Sequence, residues 1–243
     1  MRDYLLDIVD HTHALGCIEI LKITGDDTAT ELEALSDDKS VVVKAKFKQP
    51  NTDFKGTFGM PNLNKLATIL NIPEYKENSK IELITQDRNG EAVVTGLHFE
   101  NQTGDFKNDY RFMSMEIINE KIKGTKFKGV TWHVDIEPTA AAYQRFKFQA
   151  SANSDQNQFI AKTENNDLKF YFGDHSTHAG NFVFHANCAG KIGREWNWPV
   201  ARFISILGLN GDKTVKFSDE GAALITVDSG LIEYQYIIPA QSK

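Results

Sequence analysis

The chain has 243 residues, enough for one large domain or two small ones with a real core. It is 41% apolar and 25% charged, with a net charge of −6 and a pI near 5.7. That composition is soluble and globular, and its bulk charge disfavours a nucleic-acid partner unless Lys and Arg are concentrated locally.

Residues 3–14 predict a helix with Leu5, Ile8 and Val9 as its apolar stripe and Asp3, Asp7 and Asp10 elsewhere. Strands are predicted over 17–24, 28–35 and 41–48, the last with the pattern Val-Val-Val-Lys-Ala-Lys-Phe-Lys. Residues 55–59 lead into a helix over 62–70, followed by strands over 80–86, 91–100 and 109–115. Arg88-Asn89-Gly90 is a hairpin signal, because Asn-Gly accepts positive φ. Residues 116–131 are rich in lysine and broken by glycine, and read as a connector. Beyond it come a strand over 132–136, a helix over 138–150 and strands over 159–163, 168–172 and 181–186. A helix over 199–207 and strands over 214–218, 222–227 and 231–237 complete the chain. Each half thus reads helix, strands, helix, strands.

The two later helices share a pattern. Leu63, Leu66, Ile69 and Leu70 fall on one face at helical spacing, and Val200, Phe203, Ile206 and Leu207 repeat them at a constant offset of 137 positions. Lys65 then corresponds to Arg202, and a proline, Pro61 or Pro199, stands at each entry. Pro199 is expected in the first helical turn, where its missing N–H costs nothing. The pattern describes a duplicated α+β unit, with helices on one side of antiparallel sheets. Its boundaries are 1–115 for the first domain, 116–131 for the connector and 132–243 for the second domain.

The two cysteines, Cys17 and Cys188, form no framework and no C-x-x-C pair, which points to a reducing compartment. The first residues carry acids where a signal peptide would be apolar, and no run approaches the ~20 apolar residues of a membrane span.

Several stretches resemble the sliding clamps, the ring-shaped processivity factors of DNA polymerases. They are Phe58-Gly-Met-Pro-Asn-Leu-Asn-Lys-Leu-Ala-Thr-Ile-Leu, Lys80-Ile-Glu-Leu-Ile, Asn165-Asn-Asp-Leu-Lys-Phe-Tyr-Phe-Gly-Asp and Tyr234-Gln-Tyr-Ile-Ile-Pro-Ala. Together with the order of elements and the chain length, they are most similar to clamps of the T4-type bacteriophages. The resemblance implies two tandem clamp domains with two helices each, three chains closing head to tail into a homotrimeric ring, and helices lining the hole. It implies no catalytic residues and no cofactor. The partners would be duplex DNA, a DNA polymerase and a clamp loader, with no membrane, in the cytoplasm of an infected bacterial cell.

A contact that slides must touch phosphates rather than bases. Lys65 and Arg202 are the leading candidates, with Arg145 and Lys147 on the 138–150 helix and Lys191 and Arg194 ahead of the last helix. The first helix, with its three aspartates, departs from a basic hole. By family analogy, Tyr110 and Phe112 of one subunit would meet Phe182 and Phe184 of the next. A partner peptide would enter a pocket formed by Ile117, Ile118, Ile122, Ile237, Ile238 and Pro239.

Other chemistry is thinner. Asp174-His175-Ser-Thr-His178, with His185 and Cys188 downstream, has metal-ligand residue types but no standard zinc spacing. His11 and His13 stand two apart, so they face different ways on a helix. Gly-rich phosphate loops, Gly-x-Ser-x-Gly elbows and His-Glu-x-x-His are all missing from the sequence. Trp196 and Trp198 flank an apolar helix and read as packing residues rather than a base-stacking platform. The alternatives to a clamp are a β-rich phage assembly protein without a DNA role and a metal-dependent hydrolase using the histidine cluster.

Overall fold

Val43, Ala45 and Phe47 turn inward from one strand while Lys44 and Lys46 turn out, the two-residue alternation of a half-buried sheet. The computed structural model, which describes residues 1–88, 90–123, 127–173 and 178–241, builds most of its strands this way. The chain divides into two compact units, Met1–Lys126 with Ser229–Tyr234, and Phe127–Asp228 with Gln235–Lys243.

The first unit runs α1 (Arg2–His11), β1 (Ile20–Gly25), β2 (Thr30–Leu35), β3 (Val42–Phe47), β4 (Gly56–Pro61), α2 (Leu63–Asn71), β5 (Lys80–Arg88), β6 (Glu91–Glu100), β7 (Lys107–Arg111) and α3 (Met115–Lys121). One sheet has the order β4-β1-β2-β3, with antiparallel pairing from Ile23 to Leu32 and from Leu32 to Ala45. The Leu231 carbonyl accepts a hydrogen bond of 2.9 Å from Lys48 N at the outer side of β3. The second sheet has the order β5-β6-β7. Gly90 closes the β5–β6 hairpin at φ 85°, its N–H donating to Asp87 Oδ1 at 3.0 Å, whereas Asn89 lies outside the described residues.

The second unit runs β8 (Val134–Ile136), α4 (Ala140–Ala152), β9 (Gln158–Glu164), β10 (Asp167–Phe172), β11 (Gly180–His185), β12 (Asn197–Pro199), α5 (Val200–Leu207), β13 (Asp212–Ser218), β14 (Ala222–Asp228) and the later part of β15 (Ile232–Pro239). Its sheets have the orders β15-β14-β13-β8 and β11-β10-β9-β12. Phe146 of α4 lies within 6.3 Å, centroid to centroid, of Phe159, Phe170, Phe172, Phe182 and Phe184. Phe203 of α5 stacks on Phe217 of β13 at 5.7 Å. The fold is α+β with antiparallel sheets, and the helix–strands–helix–strands plan recurs.

Three local features differ from the sequence reading. Pro199 precedes α5 instead of opening it: Trp198, fully buried, pairs with Phe159 across β12 and β9, and the helix begins at Val200. The sheet takes the proline because its missing N–H removes no ladder bond at the end of a strand. The start of the connector segment is helical. Ile118 of α3 is fully buried, with the backbone of β4 beneath it, while 124–126 lie outside the described residues. β7 stops at Arg111, and Met113 instead exchanges hydrogen bonds with Gly59 at 2.8 and 3.0 Å.

Candidate functional site

The apolar stripes set which helix residues can face outward. On α2, Leu63, Leu66, Ile69 and Leu70 are buried, leaving Asn64, Lys65, Thr68 and Asn71 exposed. Asn62, at φ 51°, caps the helix by accepting from Lys65 N at 3.2 Å. α1 packs beside α2, and Arg2 donates through Nη2 to the Leu70 carbonyl at 2.6 Å, satisfying an end group of α2.

In the second unit, α4 packs beside α5, and the Tyr143 hydroxyl donates to the Ile204 carbonyl at 3.3 Å. Thr139 caps α4 through Ala142 N. Arg145 is exposed, with its guanidinium 5.6 Å from the centroid of the Phe182 ring. Lys147 is half-buried, with its ammonium 4.9 Å from the centroid of the Tyr143 ring. Arg202 is half-buried on α5, beside the stripe formed by Val200, Phe203, Ile206 and Leu207.

None of α2, α4 and α5 contains an Asp or Glu, yet they carry Lys65, Arg145, Lys147 and Arg202 in a chain of net charge −6. α1 is less acidic outside than its composition suggests. Asp7 is only 11% exposed and accepts from Tyr234 at 2.8 Å and Ser229 at 3.0 Å, with His11 Nδ1 at 3.4 Å. Only Asp3 and Asp10 remain on its outer side.

Lys191 and Arg194 stand apart from these helices in chain position and contacts. Both are exposed, and Arg194 is tied to the β13–β14 turn, its backbone N–H 3.2 Å from Asp219 Oδ1 and its guanidinium 3.5 Å from the Asp219 carbonyl. Trp196 is half-buried and donates to the same carbonyl at 2.8 Å, with its ring lying against Gly221.

The proposed partner-pocket residues divide sharply. Ile118, Ile122, Ile237 and Ile238 are core residues, so they are withdrawn from any surface pocket in this structure. Ile117 and Pro239 are exposed. A similar correction applies to the subunit contact. Tyr110, Phe182 and Phe184 point into their own units, where Tyr110 donates to the Pro61 carbonyl and Phe184 stacks on Phe170 at 4.3 Å. Phe112 is half-buried and stacks on Phe58 at 4.4 Å. The strands themselves are edges, β7 of its three-stranded sheet and β11 of its four-stranded sheet. Any pairing there therefore runs through backbone groups and outward side chains.

Among the described residues no group of three His, Cys, Asp or Glu is placed to hold a metal. Asp174 and His175 of the histidine cluster lie outside the described residues, and Cys188 is buried, with its thiol 3.3 Å from the Ala189 carbonyl. No described helix is long and apolar enough to cross a membrane. Phe148 on α4 and Met115 on α3 are large apolar residues left exposed that the sequence reading did not single out. The spacing from Phe146 carried the signal for the first, because two residues along a helix is the opposite face.

No protein-family model and no curated protein matches the sequence. Solved structures do match the fold. The PCNA of A. fulgidus, in a structure with the C-terminal region of FEN-1 bound, superposes with a TM-score of 0.71 at 13% identity, over 100% of this chain and 97% of that one. The PCNA of Thermococcus kodakaraensis gives 0.66 at 12% identity over 98% and 97%. The PCNA2–PCNA3 complex of Sulfolobus tokodaii gives 0.65 at 10% identity over 98% and 96%. Over its whole length, the chain has the PCNA-type sliding-clamp fold.

Proposed function

We propose that this chain is a DNA sliding clamp, a non-enzymatic subunit that closes with two further copies into a ring around duplex DNA. The observation that carries the reading is the placement of charge: in a clamp-type fold of net charge −6, three helices hold four cations and no carboxylate. Such helices touch phosphates without reading sequence, and the acidic remainder discourages binding elsewhere. Lys65, Arg145, Lys147 and Arg202 are the proposed DNA contacts, with Lys191 and Arg194 as outlying ones. Residues 1–115 and 132–243 are the proposed clamp domains, joined through 116–131.

Ring closure is proposed between the open edges of β7 and β11, head to tail, because contacts between unlike edges give a ring where the rotation between subunits closes. One structural neighbour holds the C-terminal region of FEN-1 and another is a complex of two PCNA chains, which supports capture of partner peptides and assembly into multimers here. A polymerase and a clamp loader are the proposed partners, and a T4-type bacteriophage in an infected bacterial cell the proposed setting. The exposed Ile117 and Pro239 remain the proposed surface contacts for a partner peptide.

The test is retention on DNA. Loaded onto a nicked circle, the protein is expected to stay bound through gel filtration and to leave when the circle is cut. Lys65→Ala with Arg202→Ala is expected to weaken direct duplex binding and lower the salt slope by roughly 0.9 for each phosphate no longer neutralised. Equal retention on linear and circular DNA overturns the ring. An unchanged salt slope overturns the helix contacts.

A further inference from the structure

Phe148 is the most exposed of the large apolar side chains described, at 70%, ahead of Met115 and Ile117 at 49% and Phe106 at 42%. It lies two residues beyond the fully buried Phe146, about 200° around the helix. Its neighbours at helical spacing are Gln144 and Arg145 on one side and Ser151 and Ala152 on the other, all exposed. The helix has no acidic residue, and the guanidinium of Arg145 is held over the Phe182 ring. A bare aromatic ring beside a cation, an amide and a hydroxyl, with no carboxylate on its helix, is suited to nucleic acid. One ring is too small for a protein-docking patch, which hides many side chains at once.

We infer that Phe148 stacks on unpaired bases of DNA, with Arg145 on the adjoining phosphate, so that α4 grips single-stranded stretches more tightly than intact duplex. The inference rests on the clamp reading for the direction in which α4 faces. Physical reasons favour the unpaired form. In a duplex both faces of each base are already stacked, and a wedge must first separate a step at a cost. An unpaired base offers its π-face freely, and the gain does not depend on sequence. Phe148 would thus act where strands separate, as at the junction of a primer and its template, while intact duplex slides past.

Fluorescence anisotropy with a labelled oligo-dT and a duplex of equal length tests this, using the full chain. Phe148→Ala is expected to weaken oligo-dT binding by roughly fivefold or more and duplex binding by less than about twofold. Phe148→Trp should keep the affinity and show indole quenching on binding, and Phe148→Leu should behave like the alanine variant. Arg145→Ala should weaken both ligands and lower the single-strand salt slope by about 0.7. Wild-type oligo-dT affinity in Phe148→Ala overturns the inference, as does full affinity in Phe148→Leu. A drop in sedimentation mass of Phe148→Ala with DNA binding intact also overturns it, because the ring then covers a second copy. Retention of the wild type on a nicked circle is scored separately. Its loss sinks the clamp reading, whereas a circle held equally well by Phe148→Ala and wild type, with equal oligo-dT affinity, sinks the stacking alone.

Discussion

Phe146 touches five other phenylalanines, and its ring fills the space between α4 and the β9–β11 strands. Phe146→Ala is expected to cost ~3–5 kcal/mol, read as a lower urea midpoint, because close packing around the ring limits collapse into the cavity. At residue scale, one carboxylate pulled well below its ordinary pKa lies at the β9–β10 hairpin. The Tyr171 hydroxyl bonds to Glu164, and Lys169 and Lys162 lie 3.2 and 3.4 Å from its carboxylate, which holds it at about 2, below the ordinary 4.5. A carboxylate depressed in the folded state adds stability above its ordinary pKa and loses it as pH falls toward the folded value. Thermal midpoints measured from pH 6 down to about 2 should therefore drop less steeply in Glu164→Gln than in wild type. Parallel profiles for the two proteins would show that the exposed pair adds nothing measurable, as many surface pairs do.

At the scale of elements, α3 is held by a missing side chain. A Cβ on Gly59 would stand 2.8 Å from Ile118, so glycine lets the helix lie directly on β4. Gly59→Ala should loosen α3 and destabilise the first unit by about 1–3 kcal/mol, and it should cost less in a chain that already carries Ile118→Ala, which lacks the Cγ1 and Cδ1 that crowd the added methyl. A strictly additive double mutant would show that the two do not press on each other. The edge of β7 offers a second test. Phe112 N donates to the Thr95 carbonyl, so by antiparallel alternation the N–H of Arg111 points away from β6. Arg111→Pro should leave the β6 ladder intact and deny a partner strand one donor. On the proposed ring, its sedimentation mass should fall toward 27.3 kDa with unchanged circular dichroism. An undiminished oligomer would move the contact to another edge.

For the whole molecule, the clamp reading joins the net charge of −6 to the acid-free helices α2, α4 and α5. Tight phosphate binding everywhere would stop the proposed ring from sliding, whereas a few contacts on acid-free helices would hold a duplex loosely and let salt tune the grip. The expected solution mass is near three times 27.3 kDa, measured by light scattering, with dissociation at low concentration as the edge pairing is diluted. A monomer at every concentration would contradict ring closure and leave the helix surfaces as an open DNA-binding face.

What the sequence determined by itself was periodicity. Leu63, Leu66, Ile69 and Leu70, and their counterparts at 200–207, are the buried faces because a 3.6-residue repeat admits one inward stripe. Lys65 lies off that stripe and is exposed for the same reason. Periodicity cannot say what an apolar residue is buried against, so Ile118, Ile122, Ile237 and Ile238 read equally well as pocket walls or core. Only the packed chain decides that, as it decides that Arg194 turns to Asp219, that Asp7 bonds to Tyr234 across 227 positions, and that β7 and β11 are edges. Each of these depends on contacts between residues distant in sequence, which the fold creates and no local pattern encodes.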